Sequence, residues 1–392
     1  MQREFDARSA LAFIVAFGAV SFFADMAYEG MRAITGPFLG SLGATGLIVG
    51  LIAGGGELFG YVLRLGSGRL AERTRRYWAI TLLGYVIQMS AVPLMALAGN
   101  IWSAAAFIMM ERAGKAVRSP AASTLKSRAG HHIGQGWAFG LHEAMDQTGA
   151  MAGPLIAAWV LASHHDYRAA FAWLAIPAVS ALLAVLILRL RYGFAGQVAR
   201  APLASDSAAL PRAFWLYAGT AGLIAAGFCD YPLIAYHYVQ AHLMRAHWVP
   251  ILYAAAMAAA GVGSLAFGQG YDRRGLSVLV PGTLIGAAVA PLVFLGGFGA
   301  AVIGTILWGL ALGVHDAVMN AGLADLVAEH ARARAYGIFT ALYGVAWFAG
   351  SALCGELYDL SRWGLVAFSI VLQLAALFPL QRLLRASAMP GR

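Results

Sequence analysis

Acidic and basic side chains interrupt a long apolar stretch near the N-terminus, in the segment SFFADMAYEGMR that begins at Ser21. Asp25 and Glu29 are four residues apart and Arg32 follows three residues later, so the three side chains share one face of a helix. Because an ionised side chain near the middle of a bilayer costs about 2.5–3.5 kcal/mol, it needs a partner or a watery cavity. Asp25 is therefore a candidate for binding substrate or protons. Glu29 and Arg32 could do the same or pair at the outer rim, and Tyr28 lies between the two groups.

A second group of charged residues lies in the apolar stretch around position 111. Glu111 and Arg112 come first, and Lys115 and Arg118 follow Arg112 at i+3 and i+6. This basic stripe could bind an anionic substrate or neutralise acidic residues of neighbouring helices. The depth of the residues favours Glu111 and Arg112 near a cavity, with Lys115 and Arg118 in a cytoplasmic gate. Acidic residues that could pair with the stripe are Glu57, Glu111, Glu143 and Asp146.

The second half of the chain has its own polar residues in apolar surroundings. Asp316 and Asn320 are one helical turn apart beside His315, and Tyr231 follows Asp230. We predict that all five lie at a site for substrate or for proton coupling. A divalent-metal site is an alternative, although the residues lack metal-site spacing and a membrane histidine is usually a satisfied core residue. The residues of that alternative site are Asp25, Asp230, His237, His315 and Asp316.

The elements that carry these residues are long apolar segments. The 392 residues are 60% hydrophobic and only 11% charged, which is far from the balance of a soluble domain. We predict an all-α integral membrane protein with twelve transmembrane helices, since barrel strands would show ten-residue alternation instead. The predicted spans cover, to within a few residues, about 10–32, 43–65, 77–98, 100–126, 135–161, 168–190, 212–240, 247–270, 276–297, 299–328, 333–358 and 363–384.

The placement of basic residues predicts the orientation of these spans. If the N-terminus is cytoplasmic, the inner loops receive most of the Arg and Lys residues, and the outer side receives only Arg32, Arg168, Arg245 and Arg362. The positive-inside rule then places both termini in the cytoplasm. The net charge of +9 is therefore explained by topology, and no nucleic-acid partner is predicted.

One long polar connection divides the chain. The segment at 191–211 is rich in Arg, Ser, Ala and Pro, as is typical of a linker. We predict an N-terminal six-helix bundle at 1–190, a cytoplasmic linker at 191–211 and a C-terminal six-helix bundle at 212–392. Cys229 and Cys354 both fall inside predicted spans, where we expect buried thiols and neither a disulfide nor a metal pair.

Short sequence matches relate the two halves. GRLAER at Gly68 recurs as GQGYDR at Gly268, a shift of 268 − 68 = 200. FAD recurs as FCD, which aligns Asp25 with Asp230 at a shift of 205, and AFG recurs as AYG at a shift of 197. The third match also aligns Gly153 with Gly350. Three matches in the same order and with similar shifts indicate an internal repeat, and Asp316 then lies close to the counterpart of Glu111.

Three segments resemble the major facilitator superfamily of transporters. GRLAERTRR, in the loop between the second and third spans, resembles its Gly-x-x-x-Asp-Arg-x-x-Arg-Arg signature, with Glu72 in place of the usual Asp. DQTGAMAGP, from Asp146, resembles the glycine-rich fifth-helix motif of its exporters. ERAGKAVRSPA, from Glu111, together with AFGLHEAMDQTGAMAGP, is similar to a bacterial branch of drug- or metal-resistance permeases. That branch carries an Arg-Asp pair where this chain has Ala122 and Ser123.

This resemblance implies two six-helix bundles in a bacterial inner membrane, which expose a central cavity first to one side and then to the other. It also implies a conformational latch made of charge pairs, and small residues where helices pack or bend. The latch residues are Gly68, Glu72, Arg73 and Arg76, with Asp272 and Arg273 in the second half, and the packing residues are Gly149, Gly153 and Pro154.

Cavity-facing carboxylates can exchange protons for a substrate, so the sequence predicts a proton-coupled exporter of a small molecule. The sequence contains no P-loop, which disfavours ATP-driven pumping. Export of a divalent metal such as iron or nickel is an alternative. An intramembrane enzyme is more remote because no HExxH motif or nucleophile–base arrangement is present, and a receptor would need few mid-membrane charges. The predicted partners are a small-molecule or ion substrate, protons and the lipid bilayer, without a cofactor, and we expect a monomer.

Overall fold

The computed structural model describes residues 6–193, 210–327 and 331–387, without the side chains of residues 135–137, 139, 316, 320, 324 and 333. Residues 194–209 of the predicted linker lie outside the described residues. The described ranges form α-helices, two single 3-10 turns at Met95–Leu97 and Gly275–Val278, and short loops. The helices are α1 Ala7–Ser41, α2 Gly46–Thr74, α3 Tyr77–Leu94, α4 Ile101–Ile133, α5 Gln135–His164, α6 Tyr167–Trp173, α7 Ala175–Tyr192, α8 Arg212–Gly227, α9 Tyr231–Gln240, α10 Trp248–Arg274, α11 Leu279–Phe294, α12 Phe298–Leu326, α13 Arg332–Leu360 and α14 Arg362–Ser387.

Most of these helices suit a membrane. Within the described ranges, nine helical segments are long and apolar enough to cross one, and the longest of them runs through both α10 and α11. Neither α4 nor α5 is among the nine, and α4 has four charged residues between positions 111 and 118. The chain is therefore an all-helical, multi-pass membrane protein as the sequence predicts, and the count of twelve spans stays a prediction.

Helices start where the local sequence satisfies their first amide groups. The Asp6 carboxylate accepts from the Ser9 amide at 2.9 Å while Ser9 Oγ accepts from the Asp6 amide at 3.0 Å, which begins α1 with a capping box. Asn100 and Ser103 form the same reciprocal pair at the start of α4. Each box pairs two amide groups that the helix itself leaves without acceptors.

Helices α2 and α10 end at equivalent positions of the internal repeat. Helix α2 ends at Thr74 and α10 at Arg274, and each is followed by a residue with positive φ, Arg75 at 54° and Gly275 at 57°. A left-handed residue terminates a helix because its amide turns back toward the last carbonyl groups. The two ends are 200 residues apart, which is the shift that the sequence matches predict.

The seventh predicted span, at about 212–240, matches the apolar segment Arg212–Gln240, but this segment is broken into two helices. Helix α8 ends at Gly227, and α9 begins at Tyr231 with Pro232 in its first turn. Because proline has no amide hydrogen, it fits the start of a helix and disfavours continuation from α8.

Side chains of neighbouring helices satisfy the carbonyl groups that this break leaves without helical donors. Trp308 Nε1 donates to Cys229 O at 2.9 Å and Ser369 Oγ to Gly227 O at 2.7 Å. Gln373 Nε2 donates to Ile224 O at 3.1 Å. Inside a bilayer a broken helix is tolerated only with such partners or with water. The hydrogen bonds from neighbouring helices therefore stabilise the break.

The contacts between Cα atoms divide the chain into two compact units. Unit 1 holds Met1–Leu42, Phe59–Ala201 and Arg245–Ala254, and unit 2 holds the remaining segments, Gly43–Leu58, Pro202–Met244 and Ala255–Arg392. In unit 1, α1 packs mainly against α5 and α7, and α3 packs against α4. In unit 2, α8 packs against α13 and α14, and α11 packs against α12.

Glycines bring α1 close to α5 in unit 1 and α8 close to α13 in unit 2. A Cβ atom at Gly149 or Gly153 of α5 would overlap the backbone of α1, at Phe22 and Met26 respectively. A Cβ atom at Gly350 of α13 would overlap the backbone of Ala226 in α8. The aligned glycines Gly153 and Gly350 thus make the same kind of contact, as small residues do between membrane helices.

The first half of α2 packs against α13 within unit 2 through a second set of small residues. A Cβ atom at Gly50 would overlap Ser351 O, and one at Gly54 would lie 2.7 Å from Ser351 Cβ. The Asp359 carboxylate of α13 accepts from the amides of Gly46 at 2.8 Å and Leu47 at 2.9 Å. A carboxylate in this position caps the first turn of α2 and complements the positive end of its helix dipole.

Candidate functional site

Asp25 lies at the middle of α1 in unit 1. The helix runs from residue 7 to residue 41, whose midpoint is (7 + 41)/2 = 24. The Asp25 side chain is buried, with 8% of the residue exposed, and among the described residues no hydrogen bond to it is found. Lys115 and Arg118 of α4 and Asp146 of α5 interact with it electrostatically. The structure therefore places an acidic group deep in unit 1 with both acidic and basic groups nearby.

Tyr28, one turn after Asp25, is bound by Lys115. Lys115 Nζ donates to Tyr28 Oη at 2.7 Å and lies 4.1 Å from the centre of the Tyr28 ring. The ammonium group thus gains a hydrogen bond and a cation–π contact from a single residue. Lys115, predicted for a cytoplasmic gate, is in this structure a partner of the α1 segment that holds Asp25.

Glu29 takes a hydrogen bond from a residue that the sequence did not single out. Tyr253 Oη of α10 donates to Glu29 Oε2, and both residues belong to unit 1. Glu29 is buried, and Arg32 is partly buried one turn further along α1. The Glu29–Arg32 pair at an outer rim stays a prediction.

A polar network joins α3 and α4. Gln88 Nε2 donates to Glu111 Oε1 at 2.8 Å, and Gln88 Oε1 accepts from Arg118 Nε at 2.5 Å. Arg118 Nη1 also donates to Tyr85 Oη at 3.1 Å, and Arg112 Nε lies 3.3 Å from Glu111 Oε2. Glu111 is 1% exposed, so its charge is offset by these partners and not by water.

We expect Gln88→Leu to destabilise the protein by roughly 2–4 kcal/mol, because it removes one partner each from buried Glu111 and Arg118. Thermal unfolding in detergent, followed by tryptophan fluorescence, measures the loss. The matched control is Gln147→Leu, which removes an exposed 3.0 Å hydrogen bond to Glu143 and should change stability little. Equal effects of the two substitutions would contradict the role of the network.

His142 and Lys126 form a second polar cluster in unit 1 that the sequence did not single out. Lys126 Nζ donates to His142 Nε2, which also lies 3.3 Å from Ser21 Oγ and 3.6 Å from Asp146 Oδ2. His142 is buried, and its ring packs edge-on against Phe17. The predicted gating residue Asp146 thus belongs to a buried cluster of α1, α4 and α5.

Asp230 occupies the break between α8 and α9 in unit 2. Its Oδ2 atom accepts from Trp347 Nε1 and from Ser351 Oγ of α13, both at 2.9 Å. The residue is 2% exposed and precedes the first turn of α9. The adjacent Tyr231 is buried against Trp308 with ring centres 5.3 Å apart. The aligned residues Asp25 and Asp230 are therefore both buried, but only Asp230 lies in a broken helix.

The two predicted histidines are buried among aromatic residues. The His315 ring lies 4.9 Å from that of Phe228, and His237 Nδ1 lies 3.1 Å from Tyr358 Oη. The side chains of Asp316 and Asn320 lie outside the described residues. In the part of the chain whose side chains are described, no group of three or more His, Cys, Asp or Glu that could hold a metal ion is found.

The residues of the predicted latch lie at exposed helix ends. Glu72 and Arg73 end α2, Arg76 precedes α3, and Asp272 and Arg273 occupy the equivalent end of α10. Gly68 faces Pro120 of α4, and a Cβ atom there would lie 3.7 Å from Pro120 Cβ. Pro154 lies inside α5, and Glu57 is partly buried on α2. Their roles in gating stay predictions.

Buried carboxylates and cations on long apolar helices are features of membrane transport proteins and not of soluble enzymes. Comparison with known proteins agrees with this class. Residues 10–351 match the family model of the Major Facilitator Superfamily, and the chain belongs to this family. It is therefore a membrane transporter rather than an enzyme.

The chain is also similar to individual proteins and solved structures. An uncharacterized protein of Mycobacterium tuberculosis is 44% identical over 378 residues, which cover 95% of this chain and 92% of the relative. A variant of the peptide transporter POT superposes with a TM-score of 0.76 at 14% identity, covering 98% of this chain and 99% of that one. A variant of the nucleoside transporter NupG gives a TM-score of 0.74 at 13% identity, with 94% and 99% coverage. These solved structures are similar in fold alone.

Proposed function

We propose that this transporter exports a small molecule by alternating access in exchange for protons. The observation that carries the proposal is the buried Asp25 at the centre of α1, which interacts electrostatically with Asp146, Lys115 and Arg118. An ionisable group at this depth is expensive and marks an ion or substrate pathway by default. Proton transfer to and from Asp25 is the coupling step of the proposal.

A proton on Asp25 changes the charge balance of unit 1. When Asp25 is ionised, its charge offsets Lys115 and Arg118, and when it is protonated those cations have less compensation. Lys115 then keeps Glu29, whose electrostatic effect on it is larger than that of Asp25, as its main acidic partner. Lys115 also donates to Tyr28, which lies on the same helix as Asp25. Protonation of Asp25 would therefore alter a contact between α1 and α4.

Asp230 is the second residue of the proposed coupling mechanism. The alignment of the two halves pairs Asp230 with Asp25. The hydrogen-bond donors to Asp230, Trp347 and Ser351, lie on α13. A carboxylate that loses its charge accepts weaker hydrogen bonds. Protonation of Asp230 would therefore loosen the contact between α13 and the break that separates α8 from α9. Asp316 is a third acidic candidate, on α12.

The arrangement of the chain in the membrane is also part of the proposal. We place the protein in a bacterial inner membrane with both termini in the cytoplasm, on the excess of Arg and Lys in the predicted inner loops. Two six-helix bundles, at 1–190 and 212–392, alternate access to a substrate site. The direction of export and the drug- or metal-resistance branch rest on the resemblance of DQTGAMAGP and ERAGKAVRSPA to motifs of such transporters.

A two-stage experiment tests the proposed function. A thermal-shift screen of the purified protein against cationic drugs, organic anions, amino acids and metal ions first identifies a ligand. Flux of that ligand into proteoliposomes is then measured with and without an imposed pH gradient. We expect the gradient to drive flux in the wild type, and Asp25→Asn and Asp230→Asn to abolish this dependence. Flux that ignores the gradient and survives both substitutions would refute proton coupling.

A further inference from the structure

The only two cysteines of the chain meet in unit 2. Cys229 Sγ lies 3.7 Å from Cys354 Sγ, although the two residues are 125 positions apart. Both thiols are free and buried, with 2% and 0% exposure. Since the chain has no third cysteine, this pair is the single intramolecular disulfide that the chain can form.

The two cysteines connect the break in the seventh span to the helix that binds Asp230. Cys229 lies between α8 and α9, immediately before Asp230, where the backbone is not helical. Cys354 lies on α13, three positions after Ser351, which donates to the Asp230 carboxylate. A bond between the sulfur atoms would therefore join α13 covalently to the residue next to Asp230, beside the hydrogen bonds that Asp230 accepts from α13.

We infer that Cys229 and Cys354 are a site of oxidative modification, at which a disulfide fixes the break to α13 and arrests transport. A disulfide has an S–S length of about 2.05 Å, so the sulfur atoms must approach by 3.7 − 2.05, or about 1.7 Å. Rotation of the two side chains and a shift of the non-helical backbone at Cys229 would close this gap. The effect on transport rests on the proposed function, whereas the bond itself does not.

A small peroxide supplies the oxidising equivalents. One sulfur, as its thiolate, attacks hydrogen peroxide to give a sulfenic acid and hydroxide, which takes up the proton released by the thiol and becomes water. The second sulfur attacks the sulfenic sulfur, forms the S–S bond and releases a second water. Two thiols and one peroxide thus give one disulfide and two waters. Peroxide is small and uncharged, so it can enter an apolar site that excludes charged thiols such as glutathione.

Burial sets the expected rates. Peroxide must reach sulfur atoms in residues that are 2% and 0% exposed, so the first step is slower than at an exposed cysteine. The same burial protects the product, because thiol–disulfide exchange requires access of an attacking thiolate. The pair should thus oxidise slowly and, once oxidised, resist charged reductants.

Thiol counting and mass spectrometry test the bond directly. The full-length protein in proteoliposomes is treated with hydrogen peroxide, denatured and labelled with a maleimide. We expect the wild type to go from two labelled thiols to none, with a peptide pair joined through Cys229 and Cys354. Two labelled thiols after exhaustive treatment, sulfinic acids without a disulfide, or a disulfide-linked dimer on a non-reducing gel would overturn the inference.

Substrate exchange tests the arrest of transport. We expect oxidation to lower exchange in the wild type by the fraction of protein that carries the disulfide, and the uncharged reductant dithiothreitol to restore it. Cys229→Ser and Cys354→Ser should transport like the reduced wild type and ignore peroxide. Unchanged exchange in fully oxidised protein would overturn the arrest. Because the disulfide is detected without any transport assay, failure of proton coupling would leave this test intact.

Discussion

Asp25→Asn should reduce pH-gradient-driven flux to the level of protein-free liposomes while substrate exchange without a gradient persists. The substitution keeps the size and polarity of the side chain but removes the group that takes up and releases a proton. It also removes a negative charge near Lys115 and Arg118, as protonation of Asp25 would. We therefore expect the variant to bind substrate, to exchange it, and to be unable to convert a proton gradient into a substrate gradient.

The matched control for this prediction is Asp166→Asn. Asp166 caps the exposed N-terminus of α6 through the amides of Arg168 and Ala169, and asparagine caps helices about as well as aspartate. The same chemical change at this position should leave gradient-driven flux unchanged. Asp25→Glu retains a titratable carboxyl group and should keep part of the coupled flux. Full coupled flux in Asp25→Asn would exclude Asp25 as the coupling residue.

Gly50→Leu should abolish transport, because a side chain cannot fit between α2 and α13 as they pack in unit 2. Even a Cβ atom at Gly50 would overlap Ser351 O, and the interior of a protein does not absorb an added side chain without shifting the backbone. In the two bundles proposed above, α2 belongs to 1–190 and α13 to 212–392, and alternating access requires contacts between bundles to form and break in each cycle. A permanent wedge at Gly50 therefore prevents the arrangement in which Asp359 caps α2.

Gly66→Leu is the control on the same helix. Gly66 is exposed, and a Cβ atom there has open space around it. We expect this variant to transport substrate at the wild-type rate, whereas Gly50→Leu remains folded by circular dichroism and fails to exchange substrate. Wild-type exchange in a folded Gly50→Leu protein would contradict the role assigned to the α2–α13 contact.

The sequence predicts the helical segments well because apolar runs report directly on burial in lipid. It misses where helices extend past the apolar core, since α1 continues to Ser41 although the predicted span ends at residue 32. It also misses the break at Asp230, although Gly227 and Pro232 flank it. A single proline is ambiguous in a membrane helix, because neighbouring side chains decide whether a broken backbone can be satisfied.

The sequence predicts only the charged residues of the candidate site. Asp25, Glu111 and Asp230 stand out because a charge in an apolar run is costly, and the structure buries all three. Gln88 and Trp347, which donate to Glu111 and Asp230, come from other helices and are ordinary residues in a hydropathy profile. The same holds for Tyr253, which donates to Glu29. Which helix faces put them in contact depends on tertiary packing, and no spacing within one helix reveals it. The two cysteines are a further example, since 125 positions separate thiols that are in contact.

Proton movement driven by substrate tests the proposed coupling most directly. Proteoliposomes loaded with a pH-sensitive dye are given a substrate gradient but no pH gradient. We predict that the internal pH changes as protons cross in the direction opposite to the substrate in the wild type, and that no change occurs with Asp25→Asn. Movement of substrate across the wild-type membrane without any change in internal pH would show that transport is not coupled to protons.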